Sequence, residues 1–201
     1  MTEQSLSQSK ERIYERSRVG GALRQGEILT NLRQATLALE TVGAERPRVK
    51  FENHPFAIVL SQDCDLSQAW SKAHAATDPA SRPLPCVLFA QMQPLADLRS
   101  GIQSLAKTAI WERVMQNKEE RYHFLQAVPP ENDALDAGLP ELGIDFKRYF
   151  TIPIDEVYKR LELDGEARRR CYLLSPYLEH LSTRFCYYQF RVALPMDHQS
   201  V

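Results

Sequence analysis

Two unbroken runs of five apolar residues set the strongest limit on this fold: Phe56-Ala57-Ile58-Val59-Leu60 and Cys86-Val87-Leu88-Phe89-Ala90. Each is too short for a buried helix and has the length of a buried strand. The first is bounded by Pro55 and Ser61. Upstream, Glu27-Ile28-Leu29-Thr30-Asn31-Leu32 alternates well enough for another strand. Residues 24–32, 56–61 and 86–91 are therefore expected in one small, curved sheet. Val49 and Phe51 alternate with charges and suggest a further strand, as do 122–128, 144–152 and Cys171 to Leu174.

The helical signals are fewer. Ile102, Leu105, Ala106, Ala109, Ile110 and Val114 recur at helical spacing and predict a helix over 102–114. Residues 10–18 alternate charge and predict a short exposed helix that ends at Gly20-Gly21. Pro153 suits the first turn of a short helix reaching about Arg160. Ser175 as cap and Pro176 as first residue open a long helix to about Leu194, where Pro195 stops it. Residues 71–85, with three prolines, read as a loop. Residues 131–141 carry Glu131, Asp133, Asp136 and Glu141 with no base, and are expected as a solvated loop. The fold class is α+β: a small curved sheet elaborated with amphipathic helices, the longest at the C-terminus. Residues 1–21 read as a flexible or helical arm, and 22–201 as one domain with a helical insertion near 94–118.

Composition narrows the function classes. A chain of 201 residues buries a core without staples. Its net charge of −1 provides no global field toward nucleic acid or membrane, so any such binding must use a local patch. No apolar run approaches the ~18 residues of a membrane span. Cys64, Cys86, Cys171 and Cys186 are scattered, and the polar N-terminus has no export signal, so four free thiols and a cytoplasmic location are expected. Ligand-spaced motifs such as H-E-x-x-H and C-x-x-C are missing, and no metal or cofactor is expected. Neither a phosphate loop after Gly20-Gly21 nor a G-x-S-x-G element occurs.

The order of features from residue 24 resembles a known family. Arg24-Gln25-Gly26-Glu27-Ile28 is followed, after a polar loop, by His54-Pro55-Phe56-Ala57-Ile58-Val59-Leu60-Ser61. This is similar to the opening of the PemK/MazF-like toxins, where a basic residue, a glycine and an acid precede the first strand and a proline precedes a buried strand ending in serine. The resemblance implies a small SH3-like barrel and, as in many of those proteins, metal-free action on single-stranded RNA. Ser61-Gln62-Asp63-Cys64-Asp65-Leu66, Arg121-Tyr122-His123-Phe124-Leu125 and the Pro176–Pro195 segment resemble a diverged bacterial group with the same fold. The chain departs from the toxins after its second strand: Asp-Cys-Asp and a long insertion stand where they continue into a Thr-containing strand. Their catalytic residues therefore do not transfer, and only the barrel is implied.

Three groups of side chains are candidates for chemistry. Asp63-Cys64-Asp65 follows a buried strand, a common place for functional residues. Two carboxylates beside a thiol can position a substrate or move protons, although they raise the thiol pKa and so oppose a nucleophilic cysteine. The alternative is an aspartate capping the next helix with Cys64 in the core. His123 is a second catalytic candidate; it shares a strand face with Arg121, a pair suited to phosphate or to a plain exposed face.

The C-terminal helix is the third candidate. Leu178, Leu181, Phe185, Tyr188 and Val192 form one stripe that should dock on the sheet. His180, Arg184, Tyr187 and Arg191 form another, interleaving cations with a ring as a phosphate backbone with a stacked base requires. A solvated flank whose arginines meet acids such as Glu179 is the alternative. On this picture Phe185→Ala costs about 3–5 kcal/mol and Arg184→Ala about half a kcal/mol or less. Three functions stay open: an RNA-binding domain, including a diverged toxin–antitoxin endoribonuclease; a non-catalytic module for a protein partner; and a hydrolase centred on Asp63, Cys64 and Asp65.

Overall fold

A computed structural model describes residues 12–74, 84–163 and 165–190. A seven-stranded antiparallel sheet runs in the order β1-β7-β2-β3-β4-β6-β5. The strands are β1 (Tyr14–Arg16), β2 (Glu27–Leu37), β3 (Val49–Val59), β4 (Cys86–Pro94), β5 (Tyr122–Leu125), β6 (Leu142–Pro153) and β7 (Arg168–Leu173). The helices are α1 (Asp63–His74), α2 (Leu95–Gly101), α3 (Thr108–Met115), α4 (Ile154–Glu162) and α5 (Tyr177–Gln189). Among the described residues, no ladder joins β1 to β5, so the sheet is not closed into a barrel. No helix among them is long and apolar enough to cross a membrane.

The two apolar runs are unbroken because both faces of the sheet are covered. Ile28, Ile58, Ala90 and Ile144 point to a core completed by Leu181 of α5. Their neighbours Leu29, Ala57, Val59 and Phe89 point to a second core, closed by Leu66 and Ala69 of α1 and Val157 of α4. Leu98, Leu105, Val114 and Tyr122 form a smaller third cluster.

Several elements differ from the sequence expectation. The charged segment 10–18 holds an edge strand where a helix was expected: Tyr14 is buried and pairs opposite Leu173, while Arg16 is exposed. Charge on such an edge suits solvent and guards against foreign pairing. The helix expected over 102–114 is broken at Lys107, whose extended backbone separates a short 3-10 turn (Gln103–Ala106) from α3. Of its apolar stripe, Leu105 and Val114 are buried while Ala106 and Ala109 are exposed, and α2 precedes it inside the helical insertion expected near 94–118. The acidic loop is not fully solvated, since Asp133 is buried and bound to Arg170 of β7. Finally, α5 begins at Tyr177 with no side-chain cap, so Ser175 does not serve as one. Its continuation to Leu194 lies outside the described residues.

Residues 33–54, largely polar, form the far half of a hairpin. β2 and β3 pair along their whole length, yet β7 reaches only to Thr30 and β4 only from Phe56. Beyond that line the hairpin projects as a two-stranded ribbon. Asn31 marks the boundary with φ 56°, a left-handed conformation that asparagine tolerates better than most residues.

Candidate functional site

Asp63-Cys64-Asp65 opens α1. The Asp63 carboxylate accepts the Gln25 N–H at 2.7 Å, and the Gln25 amide donates to the Leu60 carbonyl at 3.1 Å. Asp63 thus ties the turn before β2 to the start of α1. Cys64 is exposed, not packed in the core, with its Sγ 3.6 Å from the Gln62 side-chain oxygen and 3.8 Å from Asp65 Oδ1. The histidines that such a thiol would need are engaged elsewhere. His54 is buried, stacked on Phe150 at 3.7 Å, with Nε2 3.2 Å from the Gln34 oxygen. All four cysteines are free thiols. Among the described residues, no group of three or more His, Cys, Asp or Glu side chains is placed to hold a metal.

The arginines chosen for phosphate have protein partners. Arg121 grips the buried Asp145 with two hydrogen bonds, 2.8 Å from Nε and 2.6 Å from Nη2. Its guanidinium also lies 4.9 Å over the Tyr122 ring. Arg184 is half-buried and donates to the carbonyls of Asn117, Glu119 and, at 2.8 Å, Tyr122. It fastens α5 to the turn before β5 rather than standing on a solvated flank. Burial pushes the Arg184 pKa down, and Glu119 opposes that. Tyr187 is 63% exposed, whereas Arg191 lies outside the described residues. The apolar stripe docks as expected: Leu181 is buried, and Phe185 and Tyr188 pack on Phe146 with centroids 5.7 and 5.9 Å away.

The remaining candidates meet where the sheet stays open. Across the gap between β1 and β5, the Tyr14 hydroxyl donates to the Gln126 carbonyl at 2.7 Å, and the Asn132 amide to the Tyr14 carbonyl at 3.1 Å. Under α5 this seam leaves a cavity of about 240 Å³, lined by Tyr14, Asn117, His123, Gln126, Tyr177 and His180 among others. The His123 and His180 rings are neighbours, tilted by 53° with centroids 5.4 Å apart. His123 is 2% exposed, and its Nδ1 has no hydrogen-bond partner. Burial, then the charges of Arg184 and His180, hold its pKa down to about 3. Burial and Arg184 lower His180 in the same direction. A neutral imidazole offers one donor and one acceptor, so the pair can read the polar edge of an uncharged ring. Larger hollows beside Trp111 and beside Trp70 carry no buried, unpartnered polar atom.

Two of the six side chains named in the seam, His123 and His180, were legible as candidates. Tyr14 was missed because its strand looked helical, and Tyr177 because it fell on neither stripe of α5. Compared with known proteins, the chain matches no family model, no curated sequence and no solved structure.

Proposed function

We propose that this chain is an intracellular RNA-binding domain, a diverged relative of the PemK/MazF-like proteins whose sheet stays open where theirs forms a barrel, that accepts one base of a single strand in the seam between β1, β5 and α5. One observation carries the proposal: His123 and His180, from different elements, line one cavity together with Tyr14 and Tyr177. At about 240 Å³ the cavity lies below the ~300 Å³ at which pockets for drug-sized ligands begin, so it suits a single ring system. Tyr177 and His180 offer faces for stacking, and His123 offers an edge for hydrogen bonding. Enzymes that act on a base out of its stack read it by the same two contacts. With Arg121 and Arg184 tied to the protein, affinity would rest on stacking more than on phosphate contacts, and its salt dependence would be shallow.

Polarisation of a labelled single-stranded RNA at two salt concentrations tests this. His180→Ala and Tyr177→Ala should each weaken binding roughly 5- to 100-fold, the range for losing one stacked base, with little change in salt slope. A parent protein that leaves the RNA free, or variants that bind as the parent does, would remove the proposal. A denaturing gel of the same samples reports whether the strand is cut, which separates a binding domain from an endoribonuclease of the toxin–antitoxin type. The hydrolase centred on Asp63, Cys64 and Asp65 has no such convergence, since Asp63 is engaged by Gln25 and no histidine is among the polar partners of Cys64. A protein partner finds support in a different place, the projecting ribbon.

A further inference from the structure

The ribbon formed by the far halves of β2 and β3 carries the most exposed apolar surface of the sheet. Leu37 and Val49 are paired across it, as are Ala35 and Phe51, so these four side chains share one face. Leu37, Val49 and Phe51 are each more than half exposed. The guanidiniums of Arg33 and Arg160 lie over the Phe51 ring at 4.7 and 5.5 Å from its centroid. Residues 49–53 are all exposed, and among the described residues their outer edge pairs with no strand. The ribbon is tied to the body through Arg33–Glu166 and Gln34–Thr151, but an open edge of this kind is a template for another strand.

The sequence of that edge says which strand. Around Phe51 the order is Val49-Lys50-Phe51-Glu52-Asn53, and Lys50 and Glu52 point to the opposite face from Phe51. No ion-pair partner is recorded for Lys50 or Glu52 among the described residues. If a second copy of the edge runs antiparallel about a two-fold axis through Phe51, each Phe51 meets its own counterpart. Lys50 of each copy then stands opposite Glu52 of the other, twice by symmetry. Lys50 alone would guard the edge against foreign strands, while the Lys–Glu alternation admits this one register.

We propose that the projecting ribbon is a dimerisation surface, with β3 of one copy pairing antiparallel to β3 of a second copy about Phe51. The sheets of the two copies thereby join through their β2–β3 ribbons, and the isologous geometry closes after two chains. The inference is independent of the seam, which lies at the opposite edges of the sheet.

Sedimentation of the whole chain over a wide concentration range tests it, with circular dichroism confirming the fold of each variant. The parent should show a reversible monomer–dimer equilibrium. Lys50→Glu and Glu52→Lys should each weaken dimerisation by roughly tenfold or more, because both symmetric pairs become repulsive. The double variant K50E/E52K should restore it, and Phe51→Asp should abolish it. A parent that sediments as a monomer throughout would overturn the proposal. So would single reversals that leave the dimer unchanged, and a double variant that stays monomeric would overturn the register centred on Phe51.

Discussion

His123 concentrates the chemistry of the seam in one residue, and its burial gives it a thermodynamic signature. Its pKa is held near 3 in the folded chain against an ordinary value of 6.5. Between those values the unfolded chain binds a proton that the folded chain refuses, so stability is full above about pH 6.5 and falls as the pH drops toward 3. The slope approaches about 1.4 kcal/mol per pH unit from this one group. His54 and His180 are shifted down as well and steepen the same limb. Asp133 acts only lower, because its own depressed pKa starts from 3.8. Burial pushes that carboxyl up, but the Arg170 hydrogen bonds and the Leu135 and Ala137 N–H groups pull it down further. Urea midpoints from pH 7 to 5, where Asp133 stays ionised, should therefore fall less steeply for His123→Phe than for the parent. Equal slopes would mean that His123 is solvated in the folded state.

The helix α5 is the element on which sequence and structure agree most and then part. Its apolar stripe was readable because burial follows the 3.6-residue period, and Leu181, Phe185 and Tyr188 dock as that period requires. The second stripe misled because helical spacing reports direction, not whether a long polar side chain meets water or a turn with free carbonyls. Arg184 meets the turn, and its guanidinium satisfies carbonyls of Asn117, Glu119 and Tyr122. The small effect expected from the sequence for Arg184→Ala is therefore revised. The substitution should cost about 2–4 kcal/mol, since hydrogen bonds to a charged donor contribute about 1.5–3 each and are not additive. Arg184→Lys should recover only part, because an ammonium cannot span carbonyls that a planar fork spans. Thermal denaturation of both variants measures this, and a loss under half a kcal/mol would return Arg184 to the solvated flank. The helix split at Lys107 was illegible for a related reason: the apolar spacing continues across the break while the backbone does not.

At the scale of the whole molecule, the question is what holds a sheet with two free edges when no ladder closes it. The acidic segment read as a solvated loop answers it. Val128 and Leu139 bridge its ends, and the Asn132 amide and Ala134 N–H reach the carbonyls of Tyr14 on β1 and Arg170 on β7. Its anchor is Asp133, fully buried, which takes two hydrogen bonds of 2.7 Å from Arg170. A second pair, Glu27 with Arg169, holds β2 to β7 and fixes the Gly20-Gly21 turn through its carbonyls. Sequence pattern could not reveal either pair, because an acid in a polar loop and arginines in a charged run look the same whether they face water or each other. β3 and β4 were legible because their apolar runs are a direct image of two covered faces, whereas the charged β1 carried no such run and read as a helix. If this loop closes the seam, Asp133→Ala should cost about 3–5 kcal/mol, since it strands the Arg170 charge in the interior. Replacing both partners, as Asp133→Leu with Arg170→Met, should cost much less than the two single changes added together. Hydrogen exchange should also speed at the Tyr14–Arg16 amides in Asp133→Ala, ahead of the amides of β3 and β4, because no strand pairs with the outer side of β1 among the described residues and the loop is a main support there. Uniform loss of protection across all strands would instead make Asp133 a general stabiliser, and the seam would need another closure.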